Sequence, residues 1–296
     1  MRWLVFTSVL LACSAPPGPV DAGRTPVDAG PPRVVDGGLV GPFAIGLVSV
    51  SQVVRDEGSR TTASTLLSAV FTEVGPLTPN PCVERREGAC LVRICNLGAA
   101  PLGTTVSAGP LTLTGLLPRE VPDGGLAAPD AGDEDGGVRW VLQPLDSGVA
   151  SLQVPQRLFF GGDTLGVSAG GDAVPAFVSP PLTTPAQVLV SKPRCTPGCP
   201  PVRRDVPLEV AWSGVSFATV RVVVNTPQVS VRCDAPAEQS ALQVPAALLA
   251  ELTPSVAPGD ATLVVVARTA VSFDAGAFDV TLAAETPTFL PVEVLP

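Results

Sequence analysis

Residues 261–284 read ATLVVVARTAVSFDAGAFDVTLAA, and this stretch decides the fold class of the chain. Apolar and β-branched residues fill 261–273 and 277–284, and the tetrapeptide FDAG at 273–276 lies between them. Such runs favour β-strands, and a glycine in the connection supplies the positive φ that a tight hairpin turn requires. The stretch therefore predicts two antiparallel strands joined by a tight turn.

The same succession of apolar runs and turn residues continues along the chain. Residues 228–233 read QVSVRC, so Val229, Val231 and Cys233 share one face of a strand, and Cys233 is expected to be buried. Further strands are predicted at 43–55, 62–74, 89–96, 104–117, 138–143, 151–160, 163–169, 186–191, 206–212 and 217–224. One short helix is expected near 245–252, because Pro is tolerated in a first helical turn and Ala and Leu favour helix.

The composition supports an all-β fold. The chain has 296 residues with 34 Pro, 29 Gly and 46% hydrophobic residues, which excludes both a helical bundle and a wholly disordered chain. The predicted strands indicate one or two β-sandwich units, immunoglobulin-like in strand number, at 41–183 and 184–296. Trp212 and Cys233 are too close in sequence for the immunoglobulin Trp-to-Cys pattern, so the topology stays open.

The N-terminus has the layout of an export signal. A basic residue precedes an apolar run at 3–12, which is too short to span a bilayer and is followed by Cys13 and Ser14. The sequence Leu-Leu-Ala-Cys at 10–13 resembles the lipobox of bacterial lipoproteins. The resemblance implies that residues 1–12 are removed, that Cys13 carries fatty acyl chains such as palmitate, and that Ser14 directs the protein to the outer membrane. The alternatives are an ordinary cleaved signal and a buried N-terminal strand with a free cysteine.

Two segments are interpreted as spacers. Residues 13–40 are predicted to be the lipid anchor and a disordered linker, because their Pro, Gly and Asp residues show no apolar periodicity. Three short Val-Asp motifs recur in this linker, and related Pro-Asp motifs return within 120–137. The segment 120–137 contains six acidic residues and no basic residue, which is typical of a flexible acidic insertion.

The cysteines indicate an oxidising compartment. Six cysteines remain when Cys13 is set aside, an even number in a chain that carries an export signal. These disulfide candidates are Cys82, Cys90, Cys95, Cys195, Cys199 and Cys233. Three precede residue 184 and three follow it, so complete oxidation requires at least one disulfide between the two halves. The pairing stays open, and six buried free thiols are the alternative.

The side-chain inventory argues against an enzyme. The chain has no His and no Tyr, and Lys192 is its only Lys, so most proton shuttles and metal ligands are missing. The GVSAG sequence at 166–170 matches a nucleophile elbow but lacks its His, and DSG at 146–148 lacks the second aspartic-protease triplet. The DEDG sequence at 133–136 lacks the terminal ligands of a calcium loop. We expect no metal, no cofactor and no catalytic residue.

Basic residues gather around the CTPGC sequence at 195–199. The predicted basic patch consists of Lys192, Arg194, Arg203 and Arg204. One hypothesis is that the patch contacts an anionic surface, either membrane phosphates or the acidic segment 120–137. The alternative is ordinary surface charge. The net charge of −9 argues against nucleic-acid binding, which requires clustered cations on an otherwise basic surface.

These observations favour a non-enzymatic envelope lipoprotein, anchored in the outer membrane and facing either the periplasm or the cell surface. Its role would be structural or binding, with an unknown protein or glycan as partner. Trp140 and Trp212 lie in predicted strands and are expected in the core, not on a sugar-binding platform. A carboxylate-dependent extracytoplasmic hydrolase, such as a glycosidase, is the alternative, since paired acids alone can support that chemistry. A passive spacer or assembly subunit is a third possibility.

Overall fold

The computed structural model describes residues 34–35, 39–40, 43–56, 61–74, 78–79, 82–95, 103–116, 140–143, 149–195, 198–257 and 259–296. Within the compact unit Pro32–Pro296, these residues are almost entirely β-strand and connecting loop. The predicted signal peptide 1–12, the lipidation residue Cys13 and the acidic segment 120–137 lie outside the described residues. Two short strands lie within the range 13–40 that was predicted as anchor and linker.

The secondary-structure elements follow one another in a regular succession of strands. The first twelve strands are β1 (Val34–Val35), β2 (Leu39–Val40), β3 (Phe43–Asp56), β4 (Thr61–Val74), β5 (Thr78–Pro79), β6 (Cys82–Glu87), β7 (Cys90–Cys95), β8 (Thr104–Val106), β9 (Leu111–Thr114), β10 (Trp140–Leu142), β11 (Val149–Val154) and β12 (Thr164–Ala169). The others are β13 (Phe177–Val178), β14 (Leu182–Thr183), β15 (Leu189–Lys192), β16 (Val202–Arg203), β17 (Leu208–Ser213), β18 (Thr219–Asn225), β19 (Val229–Pro236), β20 (Ala241–Val244), β21 (Ala261–Ala275), β22 (Phe278–Val292) and β23 (Val294–Leu295). In the described part of the chain, one α-helix, α1 (Ala246–Leu249), and one 3-10 turn (Ala237–Gln239) interrupt these strands.

The largest element is an 11-stranded main sheet with the order β1-β6-β7-β19-β18-β21-β22-β3-β4-β11, in which β8 also pairs with β4. Its neighbouring strands are antiparallel except for the parallel pair β22 and β3. The hairpin of β21 and β22 stands at the centre, and its turn contains Gly276 with a φ of +64°. The hairpin predicted from 261–284 is therefore confirmed.

One face of this long hairpin contributes to both hydrophobic cores of the protein. Side chains two positions apart on a strand point to the same side, so Leu263, Val265 and Ala275 share one face of β21. Leu263 and Val265 pack in the second core, while Ala275 packs in the first. Both cores therefore lie on the same face of the main sheet, one towards each end of the hairpin.

A smaller sheet covers each core. The sheet β10-β9-β12-β13, with β14 paired to β12, covers the first core and contributes Leu113, Trp140 and Val167. The sheet β15-β17-β20 and helix α1 cover the second core, which includes Trp212 and Leu248. Two sandwich-like layers thus share one main sheet, and the prediction of an all-β, sandwich-like fold is confirmed. Trp140 and Trp212 are both buried, as expected.

Each core contains residues from strands that precede residue 184 and from strands that follow it. A boundary between two units was predicted at this residue. Cys90 and Val92 of β7 pack in the second core, although the rest of that core comes from beyond residue 184. Phe278 and Leu282 of β22 pack in the first core, together with residues from the first half of the chain. The main sheet therefore runs continuously through both layers.

Several predicted elements differ in extent from the observed ones. The run 104–117 is divided into β8 and β9, because Gly109 adopts a φ of +72° and Pro110 follows it. The run 151–160 is a strand only to Val154, since Pro155 cannot donate to a ladder. The helix predicted near 245–252 is the four-residue α1. No helix among the described residues has the length and apolar character needed to cross a membrane.

Candidate functional site

All six described cysteines are joined in disulfides, Cys82–Cys95, Cys90–Cys233 and Cys195–Cys199. The first two join residues that lie opposite each other in the strand registers of the main sheet. Directly opposed residues bring their Cβ atoms close enough for a disulfide without displacement of the strands. The predicted bridge between the halves is confirmed, and Cys233 is buried as predicted.

The third disulfide lies outside the strands, beside a surface groove. Cys195 lines a groove of about 470 Å³ together with Arg194 and Leu290. Cys199 instead packs against the second core. The two cysteines of this disulfide therefore have different surroundings, since Cys195 lines the groove and Cys199 packs against the second core.

Three of the four cations of the predicted basic patch are engaged by nearby groups. Lys192 Nζ lies 2.9 Å from Glu209 Oε1. Arg203 Nη2 lies 2.6 Å from Asp205 Oδ2, and Arg204 donates a hydrogen bond to a backbone carbonyl after α1. Of the four, only Arg194 makes no ion pair or hydrogen bond with any described residue.

The pair of Arg203 and Asp205 stays ionised at the surface. The hydrogen bond from Arg203, helped by its charge, lowers the pKa of the Asp205 carboxyl. The hydrogen bond to Asp205 and the charge of that carboxylate raise the pKa of the Arg203 guanidinium. Because both groups are exposed, this contact neutralises part of the basic patch and adds little stability.

A second charged site, which sequence analysis did not identify, lies on the face of the main sheet opposite the cores. We call it the arginine cluster, and it consists of Arg221, Arg232, Asp234, Arg268 and Glu285. Arg221 Nε lies 2.8 Å from Asp234 Oδ1, and Arg232 Nε donates to Asp234 Oδ2 at 3.0 Å. Arg268 Nε lies 3.0 Å from Glu285 Oε1. The cluster has three cations and two anions and is partly shielded from water.

Burial and hydrogen bonding oppose each other at Asp234. Burial raises the pKa of its carboxyl, but the hydrogen bonds from Arg232 and Arg221 outweigh burial, so the pKa is lowered overall. Burial also lowers the pKa of Arg268, and the nearby charge of Arg221 adds to this effect. Asp234 is thus held as a carboxylate that joins two arginines.

A smaller groove of about 320 Å³ lies beside the Cys90–Cys233 disulfide. Its lining includes the carboxylate-bearing residues Glu87 and Asp234. Glu87 is exposed at the end of β6, next to the turn that leads into β7. This groove brings two acidic residues to one depression of the surface.

The sequence motifs with catalytic resemblance do not assemble a site. Ser168 lies within the extended strand β12, opposite Thr112 and Val178, and therefore does not occupy the sharp turn of a nucleophile elbow. The DSG and DEDG motifs at 146–148 and 133–136 lie outside the described residues. Among the residues that the structure describes, no three His, Cys, Asp or Glu side chains come together in a group that could hold a metal ion.

No protein-family model matches the chain, and no curated protein matches it. The functional interpretation therefore depends on the sequence signals and on the geometry of the described residues.

Proposed function

We propose that the chain is an exported bacterial lipoprotein, anchored by acylated Cys13 in the outer membrane, with a structural or binding role and no catalytic activity. The observation that carries this proposal is the pairing of all six described cysteines. Disulfides of this kind persist in oxidising compartments and are rare in the cytosol. The lipobox-like sequence at 10–13 supplies the means of attachment.

Acylation would replace a membrane-spanning segment. A single fatty chain binds a membrane only marginally, whereas several chains on one residue give stable anchoring. The Pro-rich sequence after Cys13 would hold the folded part away from the bilayer, because such sequences favour extended conformations. The folded part would then serve as a rigid platform presented to other envelope components.

The face of the main sheet opposite the cores offers a surface for binding a partner. The arginine cluster supplies donors that are positioned by strand pairing and by their own ion pairs. Arginine is enriched where proteins recognise partners, since its planar group can donate several hydrogen bonds at once. A protein or a glycan that presents acidic or carbonyl groups would complement this surface.

The anchor is tested by Cys13→Ser in the native host. We expect the wild-type chain in the outer-membrane fraction and the variant in the soluble exported fraction. Alkylation before and after reduction measures the disulfides in both, so export is scored separately from lipidation. Cytoplasmic protein with free thiols in both cases would overturn the proposal, and an exported variant that stays in the membrane fraction would overturn the role of Cys13.

A carboxylate-dependent hydrolase is the second candidate, and one observation favours it. Glu87 and Asp234 line the same groove, and the two arginines keep Asp234 ionised, as a nucleophile or stabilising anion would be. The wild-type chain and Glu87→Gln are compared on chromogenic glycosides and on cell-wall glycans. Glu87 is exposed, so this substitution leaves the fold intact. Hydrolysis that Glu87→Gln abolishes would support the enzyme, and no hydrolysis by the wild-type chain would exclude it for these substrates.

A further inference from the structure

The three disulfides differ in how firmly the fold encloses them. Cys82, Cys90 and Cys233 are buried and Cys95 is partly buried, and both of their disulfides join paired strands of the main sheet. Cys195 and Cys199 lie in a loop outside the strands, and both are only partly buried. A thiol can therefore approach the third disulfide without separating any strands, whereas each of the other two lies between paired strands and has at least one buried cysteine.

The groove beside Cys195 carries a positive charge that no described residue neutralises. Arg194 and Cys195 line this groove together, and Arg194 makes no ion pair with any described residue. The neighbouring cations Lys192 and Arg203 are instead neutralised by carboxylates. This cation attracts an incoming thiolate to the groove, and it favours the Cys195 thiolate when that cysteine is released from a mixed disulfide.

We propose that Cys195–Cys199 is a site of thiol–disulfide exchange, in which Cys195 is the sulfur attacked and Cys199 is the sulfur released. The assignment follows from the different surroundings of the two cysteines, since Cys195 lines the groove and Cys199 packs against the second core. The ligand is a thiolate, carried either by a small thiol or by a protein cysteine. This activity goes beyond the proposed anchoring and binding role and does not depend on it.

The exchange takes place in two steps. A thiolate attacks Cys195 Sγ, a mixed disulfide forms, the bond to Cys199 breaks, and Cys199 leaves as a thiolate that takes a proton from water. A second thiolate of the same reductant then attacks the reductant's sulfur in the mixed disulfide and releases Cys195 as a thiolate, which takes the second proton from water. The reductant becomes a disulfide and the chain gains two electrons and two protons.

Opening this disulfide leaves the rest of the fold in place. Its two cysteines are four positions apart, whereas Cys90 and Cys233 are 143 positions apart. A disulfide that closes a short loop restricts the unfolded chain less than one that closes a long loop. The main sheet keeps its own two disulfides throughout, so exchange at Cys195 can be reversible.

The test measures the opening of each disulfide in the full chain, purified in detergent and treated with glutathione or with a cysteine-containing peptide. Samples are quenched by alkylation and each disulfide is followed by peptide mass. We expect Cys195–Cys199 to open at least about tenfold faster than the other two. Faster opening by glutathione indicates a small thiol as the partner, and faster opening by the peptide indicates a protein cysteine. Equal opening of all three disulfides, or no opening with either reagent, would overturn the proposal.

Two matched variants test the direction of attack. With oxidised glutathione as the reagent, Cys199→Ser, which keeps Cys195 at the groove, should form a mixed disulfide about tenfold faster than Cys195→Ser, which keeps only the packed Cys199. Each reaction releases one reduced glutathione. Arg194→Gln should slow the wild-type exchange several-fold and weaken its dependence on salt. Equal trapping by the two cysteine variants would contradict the assigned roles. The wild-type kinetics remain a test even where a variant folds poorly.

Discussion

Cys90 and Cys233 lie opposite each other on the antiparallel strands β7 and β19 and are joined by a disulfide, although 143 positions separate them in sequence. Both side chains belong to the second hydrophobic core. The disulfide fastens β7, from the first half of the chain, to β19, from the second half, within the main sheet. It therefore holds together the arrangement in which both halves share one main sheet.

Removing this disulfide is expected to destabilise the fold more than removing the short-loop one. By loop-closure entropy, Cys90→Ala with Cys233→Ala should lower the free energy of unfolding by about 5 kcal/mol, and Cys195→Ala with Cys199→Ala by about 2 kcal/mol. Urea denaturation of the two double variants measures both values. Equal losses of unfolding free energy, or a larger loss on removal of Cys195–Cys199, would contradict the expected order of the two disulfides.

Asp234 is expected to make stability depend on pH in the acid range. Because the folded state lowers the pKa of this carboxyl, its ionised form stabilises the protein above the unfolded pKa of about 3.9, and this contribution is lost as the pH falls through the folded pKa. Asp234→Asn should cost about 1 to 2 kcal/mol at neutral pH, allowing for partial exposure. Unfolding free energies of both proteins between pH 2 and pH 7 test this. A difference that is independent of pH would count against the role of the carboxylate.

Gly46 makes room for the ring of Phe71 on the neighbouring strand. A Cβ atom at Gly46 would lie 2.6 Å from two carbon atoms of that ring, which is too close for any carbon contact. Gly46→Ala should therefore destabilise the protein by about 1 to 3 kcal/mol. In a Phe71→Leu background the added penalty should shrink, and a double-mutant cycle in urea measures the coupling. If the two substitutions change the free energy of unfolding additively, the Phe71 ring is not the cause of the destabilisation by Gly46→Ala.

Gln52 fastens the irregular segment after β11 to the main sheet. Its Oε1 accepts hydrogen bonds from the backbone N–H groups of Leu158 and Phe159 at 2.8 and 3.2 Å, and its Nε2 donates to the Phe159 carbonyl. Gln52→Leu leaves these buried groups without partners and should cost about 2 to 4 kcal/mol. The exposed Gln153→Leu is the matched control, with an expected change within about 0.5 kcal/mol. Similar losses for both would refute the buried network.

The sequence predicts those strands in which apolar and polar residues alternate. Val229, Val231 and Cys233 are buried on one face of β19, as their spacing indicates. The end of β22 is different, because Pro287 and Pro291 interrupt its pattern and are typical of a strand ending. β22 pairs with β3 only as far as Glu285 in the described residues, and proline is tolerated where one side of a strand lacks a ladder partner.

The arginine cluster could not be predicted because strand register assembles it. Arg221 meets Asp234 across β18 and β19, and Arg268 meets Glu285 across β21 and β22. The alternation in 228–233 places Arg232 away from the core, but it does not reveal which strands lie beside it. Similarly, Lys192 meets its partner from β17 only through the pairing of that strand with β15.

The intact mass of the protein extracted from membranes of its native host, with and without reduction, tests the proposed function most directly. A chain that begins at Cys13, carries added acyl mass and gains about six hydrogens on reduction would support the anchor and the three disulfides together. A chain that keeps Met1, carries no lipid and has all its thiols reduced would contradict the account of an exported, membrane-anchored protein.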